Sequence, residues 1–181
     1  MEYFEAVAKR YSHKEEFAPT PIPLADLEKI AKAGLDAPNA RNHQAVRLVI
    51  FPDAKSIEAI NAISPRRTLG TAPGAIAVLT DRKLTPEGGR NLDIEDYAAA
   101  TTQMLLAATA MGYAALWLDS PYWGEETQAK ALATLNAPEG YHLWAVIPIG
   151  LPDNNGTKRE RLPFEARVSY TTFGQTKPTK I

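Results

Sequence analysis

Apolar residues recur at helical spacing in residues 24–35, where Leu24, Leu27, Ile30 and Ala31 share one face, and in residues 54–63, where Ile57, Ile60 and Ile63 do the same. A shorter amphipathic stretch, residues 2–10, carries Tyr3, Phe4 and Val7. Residues 93–112 predict a long helix whose first turn is acidic, as the helix dipole favours, and residues 125–135 predict another. β-branched and apolar runs predict strands over 46–51, 74–80, 113–118 and 142–149. Residues 17–23 are proline-rich and therefore extended, because a residue before proline is pushed out of the helical region. Residues 36–44 and 81–92 read as loops, with Gly88-Gly89 as a turn. Strands separated by helices predict an α/β or α+β sandwich with its sheet covered on both faces.

The uncharged run 97–118 is about as long as a membrane span. It contains Thr101, Thr102, Gln103, Thr109 and Gly112, so a buried helix followed by a strand accounts for it better. The start, Met-Glu-Tyr-Phe-Glu, has neither the basic nor the apolar region of a leader, and a cytoplasmic location is the expectation. A net charge of −1 offers no general attraction to nucleic acid or an anionic membrane, so any anion site must be a local basic cluster. With no cysteine in 181 residues, disulfides, thiolate catalysis and Cys-ligated metals are excluded.

Reactivity has few other sources within the chain. No Gly-x-Gly-x-x-Gly follows a strand, and neither a Walker lysine motif nor a Gly-x-Ser-x-Gly elbow is present. His13, His43 and His142 are scattered and lack metal-ligand spacing. An enzyme built this way needs an organic cofactor. Two basic clusters stand out. In Lys9-Arg10-Tyr11-Ser12-His13-Lys14, extended backbone would turn Arg10, Ser12 and Lys14 to one side, two cations flanking a hydroxyl, which suits a phosphate. Lys158-Arg159-Glu160-Arg161 could close on the same phosphate from the other side. Taken singly, each could equally be a solvated surface segment. Between them, residues 37–44 place Asn39 and Asn42 in a loop after Pro38, where amides can both donate and accept, or simply form turns.

The order Lys-Arg-x-Ser-x-Lys (9–14), Ala-Pro-Asn-x-x-Asn-x-Gln (37–44), an Asp-initiated helix ending Leu-Leu-Ala-Ala-x-x-x-Gly-Tyr (105–113), then Arg-x-Arg-Leu-Pro (159–163) resembles the nitroreductase family. That resemblance implies an α+β fold, a three-layer α/β/α sandwich on a mixed, mainly antiparallel sheet, spanning residues 1–181 as one domain. It implies a homodimer joined through long helices, with FMN at the interface; Phe164, Val168, Tyr170 and Phe173, apolar positions without a hairpin partner in their own chain, suggest either a tail of about residues 164–181 exchanged onto the second subunit or a disordered end. Carried to matching positions, it puts Arg10, Ser12, Arg159 and Arg161 on the phosphate, with Tyr11 in the same cofactor-binding segment. Lys14 would lie near the flavin N1 and O2 as an electrostatic stabiliser, and Asn39 and Asn42 would reach the ring from the partner subunit. Backbone N–H groups at Leu118 and Asp119 would face N5. Arg67 is a looser match, to a basic position near the ring or the nicotinamide.

The implied activity is hydride transfer from NAD(P)H to the flavin, then to an electron-poor acceptor such as a nitroaromatic or quinone, by ping-pong exchange with flavin N5 carrying the chemistry. A different redox reaction, or flavin binding without catalysis, is the alternative. The chain departs from the family where Asn39 stands in place of a frequent serine, and Ala45-Val46 in place of Pro-Trp. It also lacks the helical insertion that covers the flavin in larger members; Tyr97, Tyr122 and Trp123 are candidate pocket walls, or simply core or surface aromatics.

Overall fold

The computed structural model describes residues 1–84, 86–87, 90–153, 156 and 158–178. Its centre is a four-stranded antiparallel sheet, order β1-β2-β6-β5. The strands are β1 (Val46–Phe51), β2 (Gly74–Asp81), β5 (Ala114–Ala115) and β6 (Tyr141–Gly150); β3 (Pro86–Glu87) and β4 (Arg90–Asn91) form a small separate hairpin. Gly88-Gly89, expected as a turn, lies outside the described residues. β2 and β6 are central and apolar almost throughout, because both faces are covered.

Helices α2 (Leu24–Leu35) and α5 (Asp93–Ala110) cover one face, with Leu27, Ile30 and Met104 packed on Ile76, Val78, Ile147 and Ile149. Helices α3 (Ala54–Ile63) and α6 (Glu125–Thr134) cover the other, with Ile57, Ile60 and Ala131 on Ala75, Ala77, Leu79 and Val146. The alternation of Ala75/Ala77/Leu79 against Ile76/Val78 along β2 is the period of two that separates the layers. This is the expected three-layer sandwich. A short α1 (Tyr3–Lys9) and a one-turn α4 (Arg67–Gly70) complete the helices.

Local chemistry sets the boundaries. Asp53 and Ser56 form a reciprocal capping box at the start of α3, with the Ser56 N–H donating to Asp53 Oδ1 at 2.8 Å. Gly112, at φ +88°, ends α5: the Tyr113 and Gly112 N–H groups turn back to the Ala108 and Thr109 carbonyls. The strand expected over 113–118 is shorter than its apolar run. It is regular only at Ala114–Ala115 and touches β6 again at a single Leu118–Val146 bridge. Pro148 explains the gap, since it accepts from the Leu116 N–H but has no N–H to return. The uncharged run 97–118 is accordingly a buried helix and a strand. Among the described residues no helix is long and apolar enough to cross a membrane.

Candidate functional site

Residues 10–18 form the spine of the site. Ser12 makes a parallel bridge to Ala115, and the His13 N–H donates to the Ala115 carbonyl at 3.1 Å. The four-stranded sheet is itself antiparallel at each of its pairings, and this parallel contact is an isolated bridge outside its strands. Further on, Phe17 bridges Pro152, and the Ala18 N–H donates to the Leu151 carbonyl. Gly150 has to be glycine for this crossing, because a Cβ there would lie 2.7 Å from both Phe17 and Pro73. The extended backbone alternates as expected: Ser12 and Lys14 are exposed, while His13 is fully buried. His13 Nε2 sits 2.9 Å from the Glu16 carbonyl and its ring packs on Phe17, so this histidine braces the spine.

Helix α4 braces the spine from the other side. Thr68 Oγ1 donates to the Lys14 carbonyl at 2.9 Å, and the Phe17 N–H donates to Thr71 Oγ1 at 3.2 Å. Arg67, on the same turn, donates its Nε–H to the Glu16 carboxylate, which pushes the guanidinium pKa further up. The sequence reading missed both threonines, and nothing in their local pattern marks them.

The second basic cluster folds back onto the first. Lys158 Nζ donates to the Ala8 carbonyl, and Gly156 packs so closely on Tyr11 that a Cβ would fall 2.1 Å from the ring. Burial pushes the Tyr11 phenol pKa up, and the Gly156 backbone partly opposes this. Arg10 is half-buried where it caps α1, and Arg159 and Arg161 are exposed just beyond Lys158. Lys158 thus lies against the segment that carries Arg10, Ser12 and Lys14, with Arg159 and Arg161 following it in sequence.

Leu118 pairs with Val146 three residues along from Ala115, and Asp119 follows it out of the sheet. The Leu118 N–H is already donated to the Val146 carbonyl at 3.3 Å, and the Asp119 carboxylate accepts from the Ser120 N–H at 2.6 Å. Of the two backbone N–H groups expected to face the flavin, the Asp119 one lies outside the sheet ladder. The proposed walls divide. Tyr122 is fully buried, its phenol pushed up to about 12 by burial, so it cannot line a pocket. Tyr97 is half-buried, stacked on Trp144 at 4.8 Å and edge-on to Trp117 at 5.6 Å. Burial, and then the Asp119 carboxylate, raise its pKa. Trp123, at 69% exposure, remains available.

The loop with Asn39 and Asn42 is elsewhere. It leads into Val46, which pairs with Thr80, whereas Ala115 pairs with Ile149 and that with Gly74. Along β2 the six steps from Gly74 to Thr80 span roughly 20 Å at ~3.3 Å per residue. One chain therefore carries the two halves of the expected site at opposite ends of its sheet. The loop is tightly built: the Ala40 N–H donates to Asp96 Oδ1 at 2.7 Å, and the Gln44 N–H to Asn39 Oδ1 at 2.9 Å. Arg41, Asn42 and Gln44 all have positive φ (49°, 58° and 51°), a concentration of strain often found at functional sites. Between this loop, α2, β1 and α5 lies a recess of about 370 Å³.

At that same end of the sheet Gln128 clamps β6. Its amide accepts from the Leu143 N–H at 2.7 Å and donates to the Leu143 and Tyr122 carbonyls, with His142 Nε2 at 3.4 Å. Burial, then the Arg82 cation, hold the His142 pKa below its ordinary value, with Asp93 opposing. The folded protein therefore binds fewer protons than the unfolded chain once the pH drops below about 6.5. The stabilisation is complete above that pH and is lost as the pH falls through the lowered folded value. Urea midpoints should decrease between pH 7.5 and 5, and His142→Gln should flatten that slope.

A family model described as the nitroreductase family matches residues 7–67 and 64–151. A protein of Archaeoglobus fulgidus, provisionally named NADH dehydrogenase/NAD(P)H nitroreductase, is 32% identical over 128 residues, 70% of this chain and 72% of its own. A solved nitroreductase family protein of Clostridium difficile 630 superposes with a TM-score of 0.79 at 26% identity, covering 95% of this chain and 99% of the other. A solved nitroreductase of Desulfovibrio desulfuricans in complex with FMN superposes with a TM-score of 0.82 at 24% identity, covering 96% and 98%.

Proposed function

This chain belongs to the nitroreductase family, and from that premise we propose that it is an FMN-dependent, NAD(P)H-dependent oxidoreductase working as a homodimer. The observation that carries the reading is the contact of Gly156 with Tyr11 and of Lys158 with the Ala8 carbonyl, which sets the start of the second basic cluster beside the first. When bound, FMN would supply a two-electron carrier able to take hydride from a nicotinamide and give it to an electron-poor acceptor, a nitroaromatic or quinone.

The residues present fit that group. Arg10, Arg159 and Arg161 would bind the phosphate through charge-assisted hydrogen bonds, with Ser12 adding a neutral one. Lys14, whose carbonyl is fixed by Thr68, would hold a positive charge where reduction of the ring places a negative one. The Asp119 N–H would orient the reactive edge. Trp123 would wall the open side, and water would supply protons. Asn39 and Asn42 would act on the flavin of the other subunit, a reading that the separation along β2 supports.

A second copy would also give the tail a place. Phe164, Val168 and Phe173 are exposed at 61%, 36% and 104%. Burying each would contribute about 1.5–3 kcal/mol. Steady-state kinetics tests the exchange mechanism: varying NADH at several acceptor concentrations should give parallel double-reciprocal lines. Intersecting lines would rule it out.

A further inference from the structure

The single turn α4 is anchored to the core and reaches from there to the spine. Leu69 is fully buried, and the Arg66 N–H at the start of the turn donates to Asn61 Oδ1 of α3 at 2.9 Å. Gly70 lies so close to the same asparagine that a Cβ would fall 2.9 Å from its amide nitrogen. Three side chains then meet residues 14–17: Arg67 the Glu16 carboxylate, Thr68 Oγ1 the Lys14 carbonyl at 2.9 Å, and Thr71 Oγ1 the Phe17 N–H at 3.2 Å. Thr68 is buried, and the chain bends at Glu15, directly after the carbonyl it holds. Lys14 itself is exposed, and among the described residues no hydrogen bond or ion pair holds its ammonium group. The direction in which this side chain leaves the spine is therefore set by its backbone, and Thr68 fixes the peptide that follows it.

We propose that Thr68 is a positioning residue for the redox chemistry: by holding the Lys14 carbonyl it aims the Lys14 cation, and so strengthens the preference of the protein for reduced over oxidised FMN. This rests on the place given to Lys14 beside the flavin ring under the proposed function. The physical reason is preorganisation. A cation already in position stabilises charge as it develops, whereas a wandering one must first be reoriented. Arg67, tied to Glu16, acts on the same short segment as a brace.

The test is redox titration of the holoprotein against a reference dye. Thr68→Val keeps the branched shape and removes the donor. It should cut the preference for reduced FMN about ten-fold, which lowers the midpoint potential of a two-electron couple by about 30 mV. Thr68→Ser puts the hydroxyl back and should restore the potential. Thr68→Ala removes the same donor without crowding, should match the valine variant, and replaces it if that one does not fold. Lys14→Met should cost about a hundred-fold, or about 60 mV, and Thr68→Val added to it should lower the potential no further. An unchanged potential without the hydroxyl, no recovery with serine, or a full further shift in the Lys14→Met protein overturns the role of Thr68 and leaves Lys14 at the ring. If Lys14→Met alone leaves the potential unchanged, the placing of Lys14 falls, and the role of Thr68 falls with it.

Discussion

Replacing Arg10 and Arg161 together by alanine should weaken FMN binding by about a hundred-fold or more. Each charge-assisted hydrogen bond to a phosphate is worth about 1.5–3 kcal/mol when well made. Both side chains keep contact with water, so the lower half of that range applies to each. Neither side chain is part of the core, and the thermal midpoint of the apoprotein should barely move. Fluorescence titration of the apoprotein with FMN measures the loss. An affinity unchanged in the double variant would mean that the two basic stretches meet for some other reason.

The second large effect concerns which subunit supplies what. Consider one chain carrying Arg10→Ala and Arg161→Ala, and another carrying Asn39→Ala and Asn42→Gly. Glycine at 42 keeps the left-handed backbone and removes only the amide. Each variant alone should bind FMN poorly. After dissociation and random reassociation, half the dimers are mixed, and each mixed dimer pairs all the lesions in one site and leaves the other intact. About a quarter of all sites should then regain wild-type affinity. A mixture no better than its components would place both sets of residues in one subunit, against the separation along β2.

Much of the fold could be read from local pattern. Residues 24–35, 46–51 and 54–63 begin and end where their apolar period, Pro23 and Asp53 say they should. The strand expected over 113–118 is cut to 114–115 because its length is set by Pro148 on a neighbour more than thirty residues away. Gly150, conspicuous only as the end of a strand, turns out to admit Phe17. The site divides in the same way. Arg10, Ser12, Lys14 and Arg161 stand out because clustered charge is visible in one dimension. Thr68 and Thr71, through their hydroxyls, and Ala115, through its carbonyl, hold backbone groups of the spine that lie far away in sequence, and such contacts leave no local signature. Tyr122 stayed open between wall and core because an aromatic beside a loop looks the same whether its ring turns inward or outward. Its full burial follows from packing among α3, α4 and α6 that only the folded chain reveals.

The most direct single measurement compares FMN with riboflavin on the unaltered apoprotein. The two ligands share the ring and ribityl chain and differ only in the phosphate. If Arg10, Ser12, Arg159 and Arg161 close on that phosphate, FMN should bind at least about a hundred times more tightly. Equal affinities, or no binding of either, would contradict the account at its base.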